Sequence, residues 1–190
     1  MPYLQALPMQ NVTINDVFWA PRLRATRTRT LPAIYRHLRA TGRLDIWRLD
    51  ASVTALDPHP FWDSDVAKWI EAASYSLATH PNETLEHRVD AVIERIAAAQ
   101  QPDGYLNTYF TAVEPEQRWT NLRSNRELYC AGHLIEAAVA YFQTTGKRTL
   151  LDVMRRYADY IDTVFGDEPD QLSGYPGHPE IELALVKLYR

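Results

Sequence analysis

GYPGHPEIELALVKLYR, residues Gly174 to Arg190, opens on a turn rich in Gly and Pro, presents one imidazole, His178, and runs straight into a helix that is apolar on most sides. Two earlier segments repeat this plan. DSDVAKWIEAASYSL from Asp63 and RELYCAGHLIEAAVAYF from Arg126 each set a polar cluster ahead of an apolar helix. Polar loops feeding buried helices are how a helical toroid builds a pocket at one end. The last run stops at Arg190 within its third turn, which predicts that only part of such a toroid is present.

The spacing of apolar residues carries the rest of the fold. Val66, Trp69, Ile70, Ala73 and Leu77 fall on one face at helical intervals. Asn82 is placed to cap a second helix, whose inner face is Leu85, Val89, Val92, Ile93 and Ile96. A third helix is predicted from Glu127 to Thr145, stopped by Gly146, and a fourth ends at Gly166. Upstream, a helix is expected from Pro21 to Ala40, after an irregular lead-in over residues 1–20. YLNTYF, residues 105–110, reads as a short strand or an ordered loop, and no long stretch alternates as a strand would. The predicted class is all-α: hairpins 64–101 and 127–165, then an unpaired helix from 179. Start-to-start spacings of 64 residues (Asp63 to Glu127) and 53 (Glu127 to Glu180) fit a helical-hairpin repeat with variable loops. The first helix of each pair is the more uniformly apolar one, as expected inside a ring.

Composition excludes several classes of function. Of the 190 residues 46% are hydrophobic and 23% charged, with net charge −4, so the chain is globular and a poor match to nucleic acid. The one basic stretch, Arg22 to Arg29, reads as a solvated helix face. Neither a secretory signal nor a membrane-length apolar run is visible, which makes a cytoplasmic location the expectation and disfavours a membrane partner. A single cysteine, Cys130, sits inside an apolar helical pattern and reads as a small buried hydrophobe; one thiol cannot make a multi-cysteine metal site.

The candidate binding residues lie at the helix starts. His178, held between Gly177 and Pro179, can both donate to and accept from a substrate hydroxyl. Asp63 and Asp65 open the first inner helix, either as capping residues favoured by the helix dipole or as pocket-lining carboxylates. His133 reads as a satisfied packing residue, since His133 with Glu136 lacks the second histidine of a zinc-protease motif. Trp62, Tyr105, Tyr109, Trp119, Tyr129 and Tyr175 stand in or beside the loops, where flat rings suit sugar faces as well as ordinary packing.

Taken together, DSDVAKWIEAASYSL, QQPDGYLNTYF, ELYCAGHLIEAAVAYFQTTGKRTLLDV and GYPGHPEIELALVKLYR resemble the N-terminal half of the catalytic domain of glycoside hydrolase family 127, from about Val12 to Arg190. The resemblance implies about half of an (α/α)6 barrel from a longer chain, and β-L-arabinofuranosidase activity on an L-arabinofuranose-containing oligosaccharide or glycoconjugate. It implies a retaining mechanism with a zinc-bound cysteine thiolate as nucleophile and a glutamate as acid/base. Those residues lie downstream of the matched segment, so no catalytic or metal-binding residue is expected in this chain. Zinc is expected only in a full-length enzyme, and the remainder of its own chain is the expected partner. The resemblance assigns His178 to substrate contact and implies a histidine where this chain has Arg126, which puts substrate choice in question. Two rival readings remain: a helical scaffold or carbohydrate-binding remnant, and another toroid enzyme, such as a polysaccharide lyase or unsaturated uronyl hydrolase, using Asp103 or Asp65.

Overall fold

Helix formation begins at Trp19, two residues before Pro21, because the Asp16 carboxylate accepts from the backbone N–H groups of Phe18 (2.8 Å) and Trp19. In the computed structural model, which describes residues 7–190, helix α1 (Trp19–Ala25) passes through a π turn at Thr26–Thr30 into α2 (Leu31–Ala40). Pro32 has no N–H to give the carbonyl of Thr28, and the backbone widens there instead of breaking. Residues 1–6, part of the expected lead-in and of the segment read for a signal, lie outside the described residues.

Five further helices form the body: α3 (Trp62–Thr79), α4 (Glu83–Ala99), the single turn α5 (Tyr109–Ala112), α6 (Glu127–Thr145) and α7 (Thr149–Val164). A last helix, α8, spans Glu180–Tyr189. Asn82 caps α4 by accepting from the Leu85 N–H at 2.8 Å, worth about 1 kcal/mol. Gly146 ends α6 at φ 74°, a left-handed turn that glycine adopts without a Cβ clash. Among the described residues there is no strand, only an isolated bridge between Phe165 and Leu172. YLNTYF is the ordered loop: Tyr105 to Thr108 are buried and lead into α5.

The most extensive helix–helix contacts are between α3 and α6 and between α6 and α8, so α6 is the middle of three inner helices. Cys130 Sγ lies 3.6 Å from the Pro60 carbonyl and Thr144 Oγ1 lies 3.3 Å from that of Ser74. Both pairs are 70 residues apart, which a pair of helices keeps only if they run parallel and in step. Helices α4 and α7 pack outside and touch each other. Small residues make the close approach possible. A Cβ on Gly132 would meet the Glu180 carbonyl carbon at 2.9 Å, so the α6 and α8 backbones are nearly in contact. Because the inner helices are parallel, the loops before α3, α6 and α8 gather at one end.

Candidate functional site

Two buried carboxylates build the floor of that end. Asp63, 1% exposed, accepts from the Thr108 N–H at 2.9 Å and from the Thr108 hydroxyl. Burial pushes its carboxyl up to about 6 against the pull of both Thr108 bonds. Glu127 accepts from the Tyr105 hydroxyl (2.5 Å) and the Trp119 N–H (2.9 Å), and burial pushes it up to about 7. Between them they fasten the crossover segment 105–119 to the first turns of α3 and α6. Asp63 therefore faces inward and caps neither its own helix nor an open pocket.

Above this floor the groups converge on one ring. Arg126 takes a left-handed backbone (φ 64°) just before α6, a conformation that strains a non-glycine residue by about 1 kcal/mol or more. Its Nη1 lies against the imidazole edge of His178, in reach of both ring nitrogens and 2.7 Å from Nδ1, so the ring accepts from the guanidinium. The His178 loop is held by the Gly177 N–H donating to the Leu122 carbonyl at 3.1 Å. A Cβ on Gly177 would fall 2.2 Å from the Arg123 carbonyl oxygen, so only glycine lets the loop pass. The ring of Tyr129 is the hub. The His178 ring is 5.4 Å away, the His133 ring 4.5 Å, the Arg126 guanidinium carbon 5.9 Å and the Lys68 ammonium 4.8 Å. Lys68 also donates to the Tyr129 hydroxyl at 2.6 Å.

Asp65 stands to one side, bound to Arg43 Nε at 2.8 Å, and the Arg43 guanidinium lies over the Trp62 ring. An open groove of about 330 Å³ runs past Asp65 and Lys68 between α2 and α3. The structure thus joins His178 and Arg126 directly, sets Asp65 at the rim and turns Asp63 into the floor. Lys68 and Glu127 carry no motif and were not singled out in the sequence. Of the loop aromatics, Tyr105, Trp62 and Trp119 are buried, whereas Tyr175 is 85% exposed. Tyr105 and Trp119 stack edge-on against Tyr157 and Phe165 of the α7 region and belong to the core.

A second polar cluster lies deeper between α6 and α8. His133 Nδ1 is 3.2 Å from Glu180 Oε1, and both atoms are buried without another hydrogen-bond partner. His133 thus packs in the seam between α6 and α8 with Glu180 as its polar neighbour. Burial drives its imidazole down to about 4, and burial with the adjacent Glu136 carboxylate drives Glu180 up. One proton on Glu180 Oε1, donated to the neutral ring, satisfies both atoms. His133, Glu136 and Glu180 bring their ligand atoms within 4.8 Å of one another, but Glu136 is already neutralised by the Lys187 ammonium.

The match to known families is direct: residues 11–190 fit the model described as beta-L-arabinofuranosidase, GH127 catalytic domain. The chain belongs to glycoside hydrolase family 127. It is 47% identical over 133 residues to a non-reducing end β-L-arabinofuranosidase of Bifidobacterium longum subsp. longum, covering 68% of this chain and 20% of that protein. A solved family 127 β-L-arabinofuranosidase from Geobacillus stearothermophilus T6 superposes with TM-score 0.88 at 50% identity, covering 94% of this chain and 30% of that one. A second solved family 127 β-arabinofuranosidase gives 0.87 at 39% identity, covering 96% and 30%. The chain thus spans 20–30% of the length of the relatives it matches. The all-helical fold and the resemblance agree with these findings, and membership sets aside the lyase and uronyl hydrolase reading.

The zinc that family 127 implies does not fit the residues of this chain. Cys130 is its one cysteine, fully buried, with Sγ directed at the Pro60 carbonyl, and burial raises its thiol well above the usual range. A thiolate ligand needs the opposite environment. Cys130 is accordingly expected to resist a thiol reagent such as DTNB in the native protein and to react fully in denaturant; rapid native labelling would contradict its burial. Among the described residues no helix is long and apolar enough to cross a membrane.

Proposed function

We propose that this chain forms one wall of the sugar cleft of a family 127 glycosidase acting on terminal L-arabinofuranosyl groups. The observation that carries the proposal is the convergence of His178, Arg126 and Tyr129 where the three inner helices begin. His178 and the Tyr129 hydroxyl supply the polar edges a furanoside needs, and the Tyr129 ring supplies a flat face. Asp65 completes the rim, and Asp63 supports it from below through Thr108. The bond-breaking groups belong to the remainder of the enzyme, so these 190 residues bind sugar and do not cleave it. The remainder of the barrel is also the partner proposed for the α8 face on which Leu183, Val186 and Tyr189 are exposed. That face is equally what a non-catalytic helical scaffold would use to dock.

The test is equilibrium binding of methyl β-L-arabinofuranoside to the protein. His178→Ala is expected to weaken it roughly tenfold, the loss of one or two hydrogen bonds. Hexopyranosides are expected to bind more weakly. Equal binding of both sugar classes, or indifference to His178→Ala, would remove the proposal in favour of the scaffold.

A further inference from the structure

The His178 residue is exposed, so packing alone does not immobilise its ring. Its segment is anchored upstream, where the Gly177 N–H donates to the Leu122 carbonyl. Downstream, the start of α8 has no local fastening: Pro179 stands at the N-cap and offers no side-chain oxygen to the first free N–H groups. The contact on that side is tertiary. Glu180, the first residue of α8, reaches across to α6, where its Oε1 lies 3.2 Å from Nδ1 of His133. Both atoms are sealed from the surface, so no further group can reach either of them. Gly132 makes the reach possible. A Cβ there would fall 2.7 Å from Cγ of Glu180, and without one the glutamate lies flat along α6 toward His133.

These contacts close a circuit behind the sugar-facing ring. His178 meets the Tyr129 ring at 5.4 Å, and Tyr129 meets His133 edge-on at 4.5 Å. Tyr129 and His133 are one helical turn apart and share a face of α6. His133 then meets Glu180, which stands two residues after His178 in the chain. The Lys187–Glu136 pair ties α8 to α6 again two turns further on. Apolar packing tolerates small slides of one helix along another, whereas a buried polar pair accepts only a narrow range of geometry.

We infer, resting on the sugar-wall reading above, that His133 and Glu180 are positioning residues for His178. Their contact fixes the first turn of α8 against α6, and with it the place of the imidazole beside Tyr129 and Arg126. Neither residue touches the sugar.

Calorimetric titration with methyl β-L-arabinofuranoside tests it, with circular dichroism confirming the fold of each variant. Glu180→Ala is expected to weaken binding about tenfold, as much as His178→Ala, because it acts through that ring. Glu180→Gln can still donate to or accept from Nδ1 of His133 and should stay within about twofold of the unaltered protein. Adding Glu180→Ala to His178→Ala should cost less than about twofold more, the non-additivity of two residues that act through one contact. The His178 ring resonance in a proton–carbon NMR spectrum, identified by its loss in His178→Ala, gives a readout that needs no sugar. It should move or broaden in Glu180→Ala and hold its position in Glu180→Gln. Additive losses in the double variant, or a His178 resonance indifferent to Glu180→Ala, overturn the inference and leave the sugar-wall reading standing. Binding by Glu180→Gln as weak as by Glu180→Ala also overturns it, because the hydrogen-bonding group at 180 is then not what holds the loop. If the furanoside binds none of these proteins, the sugar-wall reading fails, and the resonance still decides whether Glu180 positions His178.

Discussion

Asp63→Ala is expected to lower the unfolding free energy at neutral pH by about 3 kcal/mol. The substitution strips the Thr108 N–H and hydroxyl of their buried acceptors, each worth roughly 1–3 kcal/mol when left unpaired. Relief of the buried carboxylate's own desolvation offsets part of that loss. In a domain of this size the net change corresponds to a Tm drop on the order of 10 °C. Amide exchange at Thr108 should quicken with it, because the crossover segment loses one of its two fastenings. A Tm unchanged within a degree would show that Thr108 finds water or another acceptor, and that Asp63 does not hold the floor of the site.

The same carboxylates set the direction of the pH dependence. Asp63 rises from 3.8 to about 6 in the folded protein, and Glu127 from 4.5 to about 7. The native state therefore keeps protons that the unfolded chain releases, and the stability they contribute is lost as pH climbs from about 4 to 7. Glu180, also raised, acts in the same sense. His133 acts against them: it falls from 6.5 to about 4, so its contribution is lost as pH drops through that window. Burial raises Glu71 as well, and these four acids outweigh one depressed imidazole. Urea unfolding should accordingly give a higher free energy at pH 5 than at pH 7, and Asp63→Asn should flatten the slope. Stability that climbs between those values would mean the two floor carboxylates are better solvated than their packing implies.

Gly132→Val is the second large effect, expected at about 3 kcal/mol and accompanied by loss of sugar binding. A side chain at 132 would meet backbone, the Glu180 carbonyl carbon at 2.9 Å and the Ile181 nitrogen at 3.0 Å, and backbone cannot rotate aside. Overpacking of this kind costs about 1–3 kcal/mol. The displaced α8 would also break the Lys187–Glu136 and His133–Glu180 contacts. His178 lies only two residues before α8, so its alignment with Arg126 should go too. Gly146→Ala is the matched control. Nothing lies within 4 Å of that position, and only its left-handed φ of 74° is disfavoured, a cost of about 1 kcal/mol with binding retained. If Gly132→Val binds the furanoside normally, α8 does not position His178.

What the sequence determined by itself was the helical part of the protein. Apolar residues at helical spacing, the Asn82 cap and the Gly146 stop are local signals, read by the few residues around them. The same local logic put His178 and Arg126 before inner helices, because the polar cluster and the apolar run that follows are contiguous in the chain. Its periodicity carries no sign of the π turn at Thr26–Thr30, although Pro32, which withholds an N–H from the Thr28 carbonyl, is a local feature.

Only the tertiary structure decided which way each polar side chain faces. Asp63 and Asp65 are two residues apart and look alike in sequence, yet one turns to Thr108, 45 residues on, and the other to Arg43, 22 residues back. Lys68 reaches Tyr129 across 61 residues, and Glu136 reaches Lys187 across 51. No periodicity encodes those partners, since they are set by the in-step packing of parallel helices that brings distant first turns together. A charge is free or paired according to its neighbours in space, and here the parallel register of α3, α6 and α8 assigns the neighbours.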